Sequence, residues 1–452
     1  MKELFFDEAL LPGGWARDVR IAIDAGGRIA AIEPDAAASA DDERHACALP
    51  GMVNLHSHAF QRGMAGLAER RGASSDSFWT WREAMYRFVD AVGPEDVAAI
   101  AAQACVEMLE GGFTRLGEFH YLHHAPDGTP YADPACMAGA IAEAAGQTGI
   151  GLTLLPVFYA HAGFGGTTPG EGQRRFVHDI DGFARLLEAS RSVLAGLPDA
   201  VLGLAPHSLR AVTPEELREL EALAGHGPVH IHIAEQMREV EDCLAWSGAR
   251  PVEWLLDNAR VDARWCLVHA THVTSGETLA LARSGAVAGL CPVTEANLGD
   301  GIFPAAEFVA AGGRYGIGSD SNIAIDVAEE LRLLEYGQRL TRRERNVMAA
   351  GADRSTGATL YRDALAGGAQ ALGVAAGLAL GHAADIVSLD TAHPALVARR
   401  GDARIDAFVF AGGRGAIDCV WRRGEKVVAG GVHRDRARVR QRFVSTMERL
   451  LA

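Results

Sequence analysis

From about residue 50 onward, short apolar runs alternate with longer amphipathic stretches. The runs cover residues 52–55, 112–119, 152–158, 201–206, 229–233, 266–269, 286–291 and 315–320. Their length and their flanking glycine, proline and small polar residues predict buried strands. Helix candidates lie between them, among them 94–110, 214–224 and 275–282. Thr213-Pro214-Glu215-Glu216 marks one helix start: an N-cap, a proline in the first turn and early acids. Eight strands, each followed by a helix, predict an α/β chain with a (β/α)8 barrel over 50–370 rather than an open sheet.

The flanks follow a different rhythm. Residues 19–24 alternate, Ala25-Gly26-Gly27 turns, and 28–32 returns, which is a hairpin signal. This is half of a small β unit, too little to stand alone. β character comes back at 384–390 and 419–428, and a helix over 434–451 closes the chain. The expected organisation is therefore an N-terminal part of a β-sandwich at 1–49, the barrel at 50–370, and the sandwich's C-terminal part plus a terminal helix at 371–452. The glycine cluster Gly163-Phe164-Gly165-Gly166 lacks a strand–helix context for phosphate and reads as a loop after the third strand.

Composition narrows the function classes. With 452 residues, 48% hydrophobic and 22% charged, the chain can bury a sizeable core. A net charge of −15 argues against nucleic acid or an anionic membrane as a partner. No apolar stretch reaches membrane-spanning length. The seven cysteines are scattered without CxxC spacing, as expected of reduced thiols in a cytoplasmic protein. Lysine occurs only at Lys2 and Lys426.

The polar residues that handle metals and protons collect at strand ends. His56 and His58 close the first strand, and in an extended chain residues i and i+2 face the same side. His232 and Glu235 end the fifth, His269 the sixth and Asp320 the eighth. In a (β/α)8 barrel the active site lies at these C-terminal ends.

The stretches PGMVNLHSH, HIHIAEQ, LVHATH, CPVTEANLGDG and GIGSDSN resemble the amidohydrolase superfamily, in its mononuclear-metal deaminase branch. The resemblance covers nearly the whole chain. It implies that His56, His58, His232 and Asp320 ligate one metal, and that Glu235 and His269 handle protons beside Asp320. Binuclear members usually bridge two metals through a carboxylated lysine on the fourth strand. The barrel here has no lysine, and its fourth strand ends in Pro206-His207-Ser208, so one metal per subunit is expected. Zinc is the expected ion and ferrous iron the alternative, since N/O ligand sets accept both.

Substrate choice rests on residues near the barrel mouth. Arg82 sits in the long loop expected after the first strand, Tyr121 follows the second, and His207 and Arg210 follow the fourth. Arginine's planar fork binds carboxylate in bidentate fashion, so this set suits a small dicarboxylate. FWTWREAMYRF, GEFHYLHH, APHSLRAV and HIAEQMREVEDC resemble the formimidoylglutamate deiminase family. That resemblance implies hydrolysis of a C=NH group with release of ammonia, with Arg82, Tyr121, His207 and Arg210 at substrate-binding positions. Gln61 is expected to meet the formimidoyl group or a carboxylate. His120, His123, His124 and His272 are expected to be non-ligands. The alternatives are a ring deaminase of the same superfamily, acting on guanine or an adenosine derivative such as S-adenosylhomocysteine, and a catalytically inactive assembly protein. A homodimer is a family-level expectation.

Overall fold

The computed structural model describes residues 2–40, 42–69, 78–349, 351 and 353–452. Eight parallel strands close into a barrel in chain order: Met52–Ser57, Phe113–His120, Gly151–Phe158, Val201–Leu202 with Ala205–Pro206, Val229–Ile233, Trp265–His269, Val287–Leu290 and Arg314–Ile317. The eighth strand pairs with the first at Ile317 and Asn54, and bridges from Leu204 to Val229 and from Ser208 to His232 join the fourth to the fifth. The fourth is interrupted at Gly203, where a Cβ would meet the Pro228 carbonyl at 2.6 Å. The predicted eight-strand (β/α)8 class is the observed one.

Helices cover the barrel because their apolar faces match the strands' outer faces. Pro94–Glu110 begins with proline in its first turn, and the Asp96 carboxylate accepts the Gly93 N–H at 2.9 Å. Its alanine-rich buried face lets it pack close, while the terminal helix Arg436–Leu450 ties onto it through the Arg436–Glu110 ion pair at 2.7 Å. Pro214–Ala224 carries the expected Thr213 cap.

The chain ends form the second sheet. Its strands run in the order Val432–His433, Glu425–Ala429, Ile417–Arg422, Ile386–Leu389, Glu43–Pro50, Lys2–Leu11, Gly14–Ile23 and Ile29–Glu33. All its pairings are antiparallel except Lys2–Leu11 with Glu43–Pro50. Glu43–Pro50 pairs through residues 43–48 with the N-terminal strand and through 49–50 with Ile386–Leu389, so it joins the N-terminal half of this composite unit to the C-terminal half. Phe6 meets Trp421 edge-on at 5.9 Å across the interior. Neither half could bury such a face alone. Among the described residues, no helix is long and apolar enough to cross a membrane.

Candidate active site

The first and eighth strands are joined at their C-terminal ends by backbone bonds that set the site. Asp320 N–H donates to the His56 carbonyl at 3.0 Å, and His58 N–H donates to the Asp320 carbonyl at 2.9 Å. This approach needs glycine at 318, where a Cβ would lie 2.7 Å from the His56 carbonyl oxygen. Asn322 braces the junction, donating to Ser57, to the His58 carbonyl and to the Asp320 carbonyl at 3.0–3.1 Å. Ala234, His269 and Asp320 adopt left-handed backbone conformations with φ of 48°, 66° and 43°. Such strain, about 1–3 kcal/mol per residue, clusters where side chains must be aimed.

Four predicted residues converge. His56 Nε2 lies 3.0 Å from His232 Nε2 and 3.5 Å from Asp320 Oδ1, and His58 Nε2 lies 3.3 Å from the same oxygen. His58 Nδ1 bonds the Phe119 carbonyl at 2.9 Å, which makes Nδ1 the protonated nitrogen and leaves Nε2 as a lone pair. Burial pushes His56 down to about 4, His58 down to about 3 and His232 well below its ordinary value. Neutral imidazoles with facing lone pairs are the form that binds a transition metal, so the donor set fits one. Burial works against the Asp320 charge, but its contact with His56, and with His58 and His269 beyond, holds the carboxyl far below its usual range.

Glu235 and His269 stand beside this set. His269 Nε2 is 3.8 Å from Glu235 Oε1 and 3.8 Å from Asp320 Oδ2. Burial raises the Glu235 carboxyl above its ordinary range, against the pull of His269 and Arg210. For His269 burial acts in the other direction, yet Glu235 and Glu295 carry the imidazole up. The three groups are close enough for their protonation states to depend on one another.

Sequence reasoning missed two acids that hold this arrangement. Glu295 accepts from His269 Nδ1 at 3.2 Å and from the Cys291 N–H at 2.9 Å, which orients the imidazole. Glu239 receives the backbone N–H groups of Ala234 and Glu235, both at 3.2 Å, and so grips the turn that presents Glu235. Each reads in sequence as an ordinary first-turn acid of a helix. Cys291 also lies in this layer, with its sulfur within 4.8 Å of ligand atoms of His269 and Asp320.

A cavity opens above these groups and is lined by Gln61, Arg82, Tyr121, His207 and Arg210 together with Glu235, His269 and Asp320. Gln61 Nε2 donates to the Tyr121 hydroxyl at 2.7 Å. His207 is held neutral by burial. Arg210 is buried, and although burial works against its charge, Glu239 nearby holds its pKa up. One expectation needs correction: Arg82 lies on a helix, Phe78–Val89, and not in a loop. Its apolar residues Phe78, Trp81, Met85 and Phe88 recur at helical spacing, and Trp81 and Met85 face the cavity. There the Arg82 guanidinium stacks 4.5 Å from the Trp79 ring. Tyr86, Tyr159 and Phe176 also line the cavity and were not anticipated. Of the histidines set aside, His123 and His124 bond the carbonyls of Val157 and Val177 at 2.9 and 2.8 Å. Neither those two nor His120 and His272 enter a ligand cluster among the described residues.

Comparison with known proteins gives two family matches: "Amidohydrolase family" over residues 47–427, and "Formimidoylglutamate deiminase HutF, N-terminal domain" over residues 1–46. The chain is 54% identical over the full length of both proteins to a formimidoylglutamate deiminase of Pseudomonas aeruginosa. It is 30% identical to a 5-methylthioadenosine/S-adenosylhomocysteine deaminase of Halobacterium salinarum, over 84% of this chain and 81% of that one. Among solved structures, an amidohydrolase from Brucella melitensis superposes with a TM-score of 0.97 at 57% identity, covering all of both chains.

Proposed function

The chain belongs to the amidohydrolase family, and from that premise we propose that it hydrolyses N-formimidoyl-L-glutamate to N-formyl-L-glutamate and ammonia, a step of histidine degradation. It is a hydrolase acting on a C–N bond. The observation that carries the reading is the shared cavity: the metal-binding and proton-handling groups face the same space as two arginines, Tyr121 and His207. A flat nucleobase needs apolar walls and amide contacts, whereas two guanidinium groups suit two carboxylates. The full-length 54% identity also favours the formimidoyl substrate over a ring, since the S-adenosylhomocysteine deaminase matches at 30% over part of the chain.

The chemistry follows from the groups present. We read His56, His58, His232 and Asp320 as holding one metal ion per chain, zinc by the nature of the donors, with ferrous iron as the alternative. A divalent ion so held would lower the pKa of water toward about 7 and so make a nucleophile available at neutral pH. Asp320, kept ionised, would accept the proton of the attacking water, and His269, kept protonated by Glu235 and Glu295, would orient it. Glu235, raised by burial, takes up a proton and delivers it to the departing nitrogen. A C–O bond forms, the C=N bond breaks, and ammonia leaves with both protons of the water. Arg82, Arg210, Tyr121 and His207 hold the carboxylates, and Gln61 meets the formimidoyl end or a carboxylate. The retained donor set argues against an inactive assembly protein. All seven cysteines are free thiols, in keeping with a cytoplasmic enzyme, and we expect a homodimer.

The test is ammonia release by the purified, metal-loaded protein from N-formimidoyl-L-glutamate, guanine and S-adenosylhomocysteine in parallel. Turnover of the first alone is expected. Turnover of a ring substrate without the first would reverse the reading.

A further inference from the structure

The third barrel strand, Gly151–Phe158, delivers Tyr159 into the cavity, where it is buried at 6% exposure. The direction of its hydroxyl hydrogen bond follows from its neighbours. The Gly170 N–H donates to Gln173 Oε1 at 2.8 Å, and a backbone N–H can only donate. The Gln173 amide is therefore oriented with its oxygen toward Gly170 and its nitrogen toward Tyr159, to which Nε2 donates at 2.7 Å. Tyr159 is the acceptor in that bond, and its own O–H remains to be donated elsewhere. Among the described residues no atom accepts it. By contrast, Gln61 Oε1 has no partner that fixes the amide beside Tyr121.

The surroundings say what is missing. The His207 ring lies 4.7 Å from the Tyr159 ring, and Arg210 is near enough for the two to interact electrostatically. Neither takes the Tyr159 proton among the described residues: the guanidinium has only donors, and His207 makes its hydrogen bond instead with the Ser208 hydroxyl, through Nδ1 at 3.3 Å. A buried guanidinium and a directed phenolic O–H sharing one wall of a cavity call for a single anion that accepts from both.

We propose that Tyr159 is a substrate-binding residue that donates its O–H to the carboxylate bound by Arg210, with Gln173 acting as the positioning residue that sets the direction of the bond. The assignment rests on the dicarboxylate reading of the cavity and adds a specificity determinant to it from the third strand and its following turn, Glu171–Gln173.

The test uses the full-length, metal-loaded enzyme with Tyr159→Phe, which removes only the hydroxyl. Ammonia release is measured with N-formimidoyl-L-glutamate and with two monocarboxylates, the N-formimidoyl derivatives of 4-aminobutyrate and 2-aminobutyrate. A lost charge-assisted hydrogen bond predicts a KM raised about tenfold or more for the diacid, with kcat changed less than about threefold. The penalty should vanish on the one monoacid that lacks the carboxylate in question and persist on the other. Gln173→Met should raise KM by a smaller factor and add nothing in the Tyr159→Phe background. An unchanged KM in Tyr159→Phe, or equal losses on both monoacids, overturns the assignment while leaving the functional reading intact. Failure of the wild-type enzyme to turn over the diacid overturns both.

Discussion

Arg210 offers the sharpest test of how the cavity selects its substrate. It follows the fourth strand, is 9% exposed, and has no carboxylate within 4.0 Å among the described residues. Its Nε has no hydrogen-bond partner. A buried guanidinium without a bonded counter-ion costs several kcal/mol in desolvation, and the field of Glu239, with Tyr159 and Glu235 beyond it, offsets that cost. Such a group is tolerated where an incoming anion completes it. Removing one member of a buried, hydrogen-bonded charge pair costs about 2–5 kcal/mol, so Arg210→Met should lower kcat/KM on N-formimidoyl-L-glutamate by about 30- to 5,000-fold. Because the carboxylate is remote from the reacting C=N, most of the loss should enter through KM. Arg210→Lys should recover little, since an ammonium lacks the planar fork. Folding should respond little: the variant loses the guanidinium's desolvation cost and its attraction to Glu239 and Glu235 together, so its Tm should stay near that of the wild type. Steady-state ammonia release and a thermal melt measure both quantities. A kcat/KM within threefold of wild type, or an activity loss that merely tracks a fallen Tm, refutes the argument.

Arg82 is half-buried and stacked on Trp79, so solvent competes for its charge, and Arg82→Met should cost only about tenfold in kcat/KM. Glu235→Gln should lower kcat by about 10²- to 10⁴-fold while metal content, read by elemental analysis, stays unchanged; loss of metal in step with activity would count against a proton-transfer role. Chelation should abolish turnover, and titration back should reach full activity at one ion per chain; a requirement for two ions would contradict the mononuclear reading. Glu118 gives a pH prediction independent of turnover. Burial lifts its carboxyl from 4.5 to about 8, so the folded state holds that proton more tightly than the unfolded chain does. Its stabilising contribution is full below about pH 4.5 and fades as pH rises to about 8, an effect of at most about 5 kcal/mol. Glu118→Gln can still accept the Ala59 N–H that Glu118 now receives at 2.8 Å, and it should gain Tm over wild type between pH 5 and 9. A constant difference across that range would contradict the buried-acid account.

The barrel strands were legible because each is an apolar run between turn residues, and their order needs no long-range information once the helices alternate with them. The convergence of the candidate metal and proton-handling groups is legible for a related reason: strand ends in a barrel share one face, so His56, His58, His232, His269 and Asp320 can be associated from the sequence alone. Tyr159 obeys the same rule, directly following the third strand, but within Val157-Phe158-Tyr159 it reads as a continuation of the apolar run. Arg82 lies in a connection whose length suggests a loop, whereas the spacing of its apolar residues marks the helix Phe78–Val89. Glu239 and Glu295 are a different case. Their local sequence is that of any acid at a helix start, and what distinguishes them is where the other ends of their hydrogen bonds lie: on the backbone of Ala234 and Glu235, and on His269 Nδ1. The left-handed conformations of Ala234, His269 and Asp320 have no sequence mark either, since none is glycine. The strand ends bear reactive side chains in strained backbone, and the acids that hold them are helix-start residues whose partners appear only when the barrel closes. Residue type and spacing therefore point to the groups proposed to do the chemistry, whereas the groups that aim them depend on contacts made in three dimensions.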